Sequence, residues 1–229
     1  MPDIPTLSTR ALLGDAFRDL LRAPFALLLG LSIFATLATA PLDAEADTTA
    51  LLGTLIVAAI SAYASIAVTL AAADPQPTAS ADHWILSAFR RRCFWRSAIA
   101  NLFAAFLVAA GLIALIVPGF IVGAVVAFAL TGAIVENLGP GDAIRRSIEI
   151  SRPARPAVGF IYGALVIAPT VGVQASFYFL GSHNMWLWTS LGGAALILTM
   201  AAQIALTRAF LALGGRLLPR TERSPDPRS

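Results

Sequence analysis

Lysine is missing from this chain altogether: all 16 cationic side chains among its 229 residues are arginine, which we attribute to coding bias. Charge of either sign is scarce. Only 13% of residues are charged, against about 25% in an ordinary soluble domain. One cysteine, Cys93, excludes an internal disulfide, so cysteine pairing is silent on compartment. The two histidines, His83 and His183, fall on opposite faces of the layout derived below and cannot share a metal. No helix carries histidines at ligand spacing and no His-Glu-x-x-His occurs. A serine nucleophile would lack a base, and no Walker-type phosphate loop is present. The expectation is a non-enzymatic protein with no catalytic residue, no cofactor and no metal.

What the chain has is oil: 58% hydrophobic residues and a mean hydropathy of +0.78. A helix crossing a hydrocarbon core of roughly 30 Å needs about 20 apolar residues. Six stretches qualify or come close, at about 23–42, 50–73, 97–117, 119–135, 157–180 and 185–207. The third and fourth, fused, would make a helix of about 57 Å, so a tight hairpin turning at Pro118-Gly119 is expected instead. Ala38-Thr39-Ala40 resembles a signal-peptide cleavage site. Pro41 would be the new N-terminus, however, and the leading segment reads as amphipathic helix, so the first run is expected to be retained.

Arginine positions fix an orientation. They fall before span one (Arg10, Arg18, Arg22), between two and three (Arg90, Arg91, Arg92, Arg96), between four and five (Arg145, Arg146, Arg152, Arg155) and after span six (Arg208, Arg216, Arg220, Arg223, Arg228). The alternate connections, 43–47, 118–119 and 181–184, contain none. By the positive-inside rule every cation is cytoplasmic. The expected fold is therefore all-α: a single six-span membrane bundle over 1–217 with both termini in the cytoplasm, and a disordered cytoplasmic tail over 218–229. A bacterial inner membrane is the expected location.

Three charged stretches, "GDAFRD" from Gly14, "LSAFRR" from Leu86 and "GDAIRRSIEIS" from Gly141, each precede an odd-numbered span. In the first, Leu13, Phe17, Leu20 and Leu21 oppose Asp15, Arg18, Asp19 and Arg22, the pattern of an amphipathic helix. In the third, Ile144, Ser147, Ile148 and Ser151 oppose Arg145, Arg146 and Glu149, with Asp142 as the expected cap. In the middle copy Ile85, Leu86, Phe89 and Cys93 face the oil, Trp84 and Trp95 sit at headgroup depth and Asp82 caps. The repeated unit is an in-plane helix followed by a hairpin of two spans, used three times, although unequal spacing leaves chance similarity open. Such helices are expected in the interface, apolar face down. Arg18, Arg22, Arg90, Arg91, Arg92, Arg145 and Arg146 would then contact anionic phospholipids.

Within the spans, Gly119 and Gly123 ("GFIVG") and Gly159 and Gly163 ("GFIYG") offer small-residue packing faces, as do Gly192 and Gly193. Pro169 should kink span five, freeing a carbonyl for Thr170 or Gln174 to satisfy. Glu136 is expected to pair with Arg145 or Arg146. Gln174 and Gln203 are candidates for a polar pathway.

The stretch "IVPGFIVGAVVAFALTGAIVENLGPGDAIRRSIEISR" resembles the six-pass membrane domain found N-terminal to some bacterial glycerophosphodiester phosphodiesterases, and related stand-alone proteins of unknown function. Pro118, Gly119, Glu136, Gly139, Ala143, Arg146 and Ser147 match its motif, which covers about a sixth of the chain. The arginine and proline often found within that family's span are absent here, and Ile148 stands where tryptophan often follows the serine. The catalytic barrel of the fused enzymes is also absent, so the resemblance implies the architecture and no phosphodiesterase activity. The functional expectation is a membrane-organising or partner-binding protein with a basic, lipid-contacting face. A membrane-protein partner or a second copy is a possible associate, and nucleic acid is not. The alternative is a small-solute transporter or permease.

Overall fold

The computed structural model describes residues 8–22, 25–30, 48–74, 81–90, 94–114, 116–180 and 185–215. Among them every regular element is helical and none is a strand. In chain order the helices are α1 (Thr9–Leu20), α2 (Thr48–Ala73), α3 (Ala81–Arg90), α4 (Phe94–Ala114), α5 (Ile116–Val126), α6 (Ala129–Val135), α7 (Pro140–Ser151), α8 (Arg155–Tyr162), α9 (Ala168–Leu180) and α10 (Met185–Ala212). Residues 25–30 are also helical. Most of the first expected span, the connections at 43–47 and 181–184, and the tail at 218–229 lie outside the described residues.

Two helices among the described residues are long and apolar enough to cross a membrane: Pro140–Val173, which runs continuously through α7, α8 and into α9, and Ser190–Ala212 within α10. Shorter apolar helices occupy Ala62–Ala73, Phe94–Val108 and Ile121–Val135. Alanine dominates the buried core, as at Ala64, Ala67, Ala71, Ala201, Ala205 and Ala209. Phe25, Phe128 and Phe210 are buried among these alanines, while Ile99, Phe103, Phe106 and Leu107 form an exposed stripe along α4, with Phe106 70% exposed. The many alanines let the helices approach one another closely. The hydroxyls of Thr69, Thr170, Ser176, Thr199 and Thr207 each donate to a carbonyl four residues back in their own helix, so these polar groups need no water.

The expected turn at Pro118-Gly119 is not where the chain breaks. Helix α4 ends at Ala114 and α5 begins at Ile116, placing Pro118 in the first turn of α5, where its missing N–H costs no hydrogen bond. The expected continuous span 119–135 is itself divided: α5 stops at Val126, Ala127-Phe128 form a turn, and α6 resumes at Ala129. Glu136 caps α6, and Asn137 follows with φ of 53°. That left-handed conformation is one that asparagine tolerates at a helix C-terminus.

Helix α7 starts one turn sooner than a cap at Asp142 would imply. Gly139 is the N-cap, in extended conformation, and Pro140 is the first helical residue. Asp142 lies in the first turn, where a carboxylate favours the helix dipole. Asp82 is likewise inside a helix, the second residue of α3. Between α7 and α8 lies a short 3-10 turn, Arg152–Ala154, which contains Pro153 and is followed by Pro156 in the first turn of α8. The kink anticipated from Pro169 takes the form of a π turn over Gly163–Ile167, a common accommodation of a disrupted helix ladder. Thr170 donates to the Val166 carbonyl at 2.7 Å.

All three charged helices rest on protein. α1 packs on α10, α3 on α2, and α7 on α4, α5 and α6. Their buried residues differ in part from the expected faces. In α1, Ala16, Asp19 and Leu20 are buried while Leu21 is 83% exposed. In α3, Ala88 is buried with Trp84 and Ile85 packed beside the core, and Leu86 is exposed. Trp95, at the start of α4, is 73% exposed. In α7 the buried set is Ala143, Ser147, Ile150 and Ser151, with Ile144 and Ile148 half-buried. The side chains of Phe89 and Cys93 lie outside those described.

Candidate functional site: a charged clamp at one end of the bundle

The turn at Ala127-Phe128 interrupts a buried helix without a proline, so its backbone groups need partners from elsewhere. Ser147, fully buried on α7, supplies both: its hydroxyl donates to the Val125 carbonyl at 2.7 Å and accepts from the Phe128 N–H at 3.1 Å. A donor-and-acceptor group small enough to sit between packed helices is what this position demands. Ala143, one turn earlier on the same face and also fully buried, lets α7 lie close over Gly132 of α6.

The neighbouring residue of α7 makes the central ion pair. Arg146 donates through Nε to Glu136 Oε2 at 3.1 Å and through a terminal nitrogen to Oε1 at 3.4 Å. Two-point contact of this kind matches the planar guanidinium fork to a carboxylate. The same terminal nitrogen reaches the Gly214 carbonyl at 3.2 Å, past the end of α10. Arg96, at the start of α4, donates to the carbonyl and the side-chain oxygen of Asn137, each at 3.3 Å. Arg145 is on the exposed side of α7, where it borders a surface hollow with Asp142 and Glu149.

A second clamp joins the first helix to the last. Asp19 is 7% exposed and pairs with both Arg208 of α10 and Arg22, the latter at 3.3 Å. The sequence reading placed Asp19 on the polar, solvent-facing side of α1; the structure buries it because α10 covers that side and brings Arg208 to it. Arg208, near the end of α10, neutralises this carboxylate. Arg18 pairs locally with Asp15 at 3.3 Å.

Through Asn137, Glu136, Gly214 and the last turns of α10, these contacts gather arginines from all four sequence clusters at one end of the bundle. They also divide the expected lipid contacts into two kinds. Arg18, Arg22 and Arg146 are engaged by carboxylates, while exposed Arg145 forms no ion pair among the described residues. Arg91 and Arg92, and the side chain of Arg90, lie outside the described residues.

No family model, curated protein or solved structure matches this chain. The motif positions therefore stand on their geometry. Glu136, Arg146 and Ser147 form the clamp and the staple, Gly139 and Ala143 shape α7 and its approach, and Pro118 and Gly119 lie in the first turn of α5. The role of Ser147 had no sequence signal, because the break at Ala127-Phe128 that it bridges is marked by no glycine or proline.

The glycine pairs meet across one interface. A Cβ on Gly159 of α8 would lie 2.9 Å from the Ala124 Cβ of α5, and one on Gly123 would lie 3.0 Å from the Tyr162 ring. Gly163 is buried where the π turn begins, and the side-chain space around Gly119 is outside the described set. Gly192 and Gly193, by contrast, have open space where a Cβ would go.

Of the two candidate pathway residues, Gln203 lines a partly open pocket of about 160 Å³ with Ser65, Asn101, Thr131, Tyr162 and Thr199. Its amide donates to the Ser65 hydroxyl at 2.5 Å. The side chain of Gln174 lies outside those described. Among the described residues, no three His, Cys, Asp or Glu side chains converge as a metal site would require.

Proposed function

We propose that this chain is a non-enzymatic, six-span protein of a bacterial inner membrane whose arginine-rich cytoplasmic end engages anionic phospholipid and serves as a membrane-organising or partner-binding surface. The observation that carries this reading is the meeting of Arg22, Arg96, Arg146 and Arg208, one from each arginine cluster, at one end of the bundle. One-sided arginine in the connecting segments supports both termini being cytoplasmic. The exposed apolar stripe of α4 supports contact of the bundle flank with lipid. The resemblance to the membrane domain attached to some glycerophosphodiester phosphodiesterases agrees with this architecture and adds no catalytic role.

Within this reading the clamps are structural and the remaining arginines carry the contacts. Neutralising Arg90, Arg91 and Arg92 together should therefore weaken enrichment of phosphatidylglycerol around the reconstituted protein while leaving its thermal unfolding unchanged. Unaltered enrichment in that variant would remove the reading.

The polar pocket beside Gln203 favours a second reading, passage of a small neutral solute. Its volume of about 160 Å³ is well above the roughly 10–15 Å³ that one water needs. Uptake of labelled glycerol or urea into proteoliposomes, blocked by Thr199→Phe, would support it. Uptake no faster than in protein-free liposomes would end it.

A further inference from the structure

A groove of about 590 Å³ runs along the outer side of the contact between α5 and α8. Its floor is Gly159, Gly163, Ala164 and Ala168, its walls include Ile121 and Phe160, and among the described lining residues the single charged one is Arg155, at the first position of α8. Ile121 and Phe160 are 60% and 61% exposed, so both bulky side chains stand up from the surface as rims. Among the described residues the trough is lined by apolar groups, with the Arg155 cation at one end.

We propose that this groove holds one acyl chain of an anionic phospholipid whose phosphate is taken by Arg155. The inference rests on the membrane reading above and names one lipid site within it. Arg155 is exposed and forms no ion pair among the described residues, leaving its guanidinium fork available for phosphate oxygens. From Arg155 to Ala168 is 13 residues, or about 20 Å of helix. One leaflet is about 15 Å of hydrocarbon, half the bilayer core, so the groove matches a headgroup contact plus one chain depth. Basic pockets between membrane helices on the cytoplasmic side are suited to anionic headgroups. The small floor residues follow from packing: Gly159 must lack a side chain because Ala124 sits 2.9 Å from where its Cβ would be. Ala164 and Ala168 are exposed along the same trough.

The test uses the full chain reconstituted in nanodiscs of equal phosphatidylglycerol and phosphatidylcholine, extracted into mild detergent and weighed by native mass spectrometry. The expected result is one retained phosphatidylglycerol per chain. Retention should fall about tenfold in Arg155→Gln, as befits loss of the one charge-assisted phosphate contact. It should fall similarly in Ala164→Phe, which fills the trough at an exposed position, and persist in Arg155→Lys and Arg10→Gln. Equal retention of phosphatidylcholine, or undiminished retention in Arg155→Gln, would overturn the site. The bulk enrichment tested with Arg90, Arg91 and Arg92 is read separately in the intact nanodisc. A failed groove with bulk enrichment intact sinks this inference alone; lost bulk enrichment with the retained lipid intact sinks only the basic-face reading.

Discussion

The Ser147 hydroxyl and the Val125 carbonyl, 22 residues apart in sequence, meet at 2.7 Å across the contact between α7 and α5. With the Phe128 N–H donating to the same hydroxyl, this serine bridges an interruption in a helix to which it does not belong. Removing it would leave a buried donor and a buried acceptor without partners at once. Ser147→Ala should therefore destabilise the protein by about 1–3 kcal/mol per stranded group at most. Denaturant titration in detergent measures the loss, and hydrogen exchange should rise first at the Phe128 amide. A variant as stable as the parent would mean that the turn is held by the surrounding packing instead.

Glu136 and Arg146 are the next test. The carboxylate side chain is 10% exposed and the guanidinium side chain 33% exposed, so removing one partner strands a poorly hydrated charge. Glu136→Ala should cost about 2 kcal/mol, between the values for exposed pairs and fully buried ones. Arg145→Ala, one residue from the clamp but on the exposed side, should stay within about 0.5 kcal/mol. Arg146→Lys should behave more like a loss than a conservative change, since an ammonium cannot reproduce the two-point contact. Thermal unfolding of the four proteins side by side decides it.

The comparison of Glu136 with Asp19 shows what the sequence could reveal. Glu136 closes an apolar run ten residues before Arg146, so its partner was within local reach and the pair was legible as one of two choices. Asp19 pairs with Arg208, almost the whole chain away, and helical periodicity alone put it with the solvent-facing charges. Helix existence was legible from apolar runs and from the 3.6-residue pattern of α1 and α7. The break at Ala127-Phe128 was not, because no glycine or proline marks it and its cause, Ser147, acts through space. Pro118-Gly119 reads as a breaker, yet both residues are helical in α5, because proline in a first turn suits a helix start. The end-on gathering of arginines followed the sequence clusters, whereas which arginines are already engaged depended on tertiary contacts.

Asp19 and Arg208 tie the first described helix to the last. Asp19→Asn and Arg208→Gln should each increase protease cleavage within α1, and the double variant should be little worse than either single one, since both remove the same interaction. Additive effects would show that the two residues stabilise the fold independently.

The α5–α8 contact predicts a steric rescue. Gly159→Ala introduces a Cβ 2.9 Å from that of Ala124, and overpacking of this kind costs about 1–3 kcal/mol. Ala124→Gly should restore most of the loss when combined with it. Gly192→Ala, where the space is open, should be neutral or slightly stabilising by helix propensity. Failure of the Ala124→Gly rescue would place the strain of Gly159→Ala elsewhere.

The central claim is that the arginine-bearing end faces the cytoplasm and the alternate connections face away from it. With Cys93 replaced by serine, single cysteines at His183 and at Arg145 can be probed in intact cells with a membrane-impermeant maleimide. The account predicts labelling of the His183 variant in intact cells and of the Arg145 variant only after lysis. The reverse pattern, or both positions labelled from the same side, would contradict it.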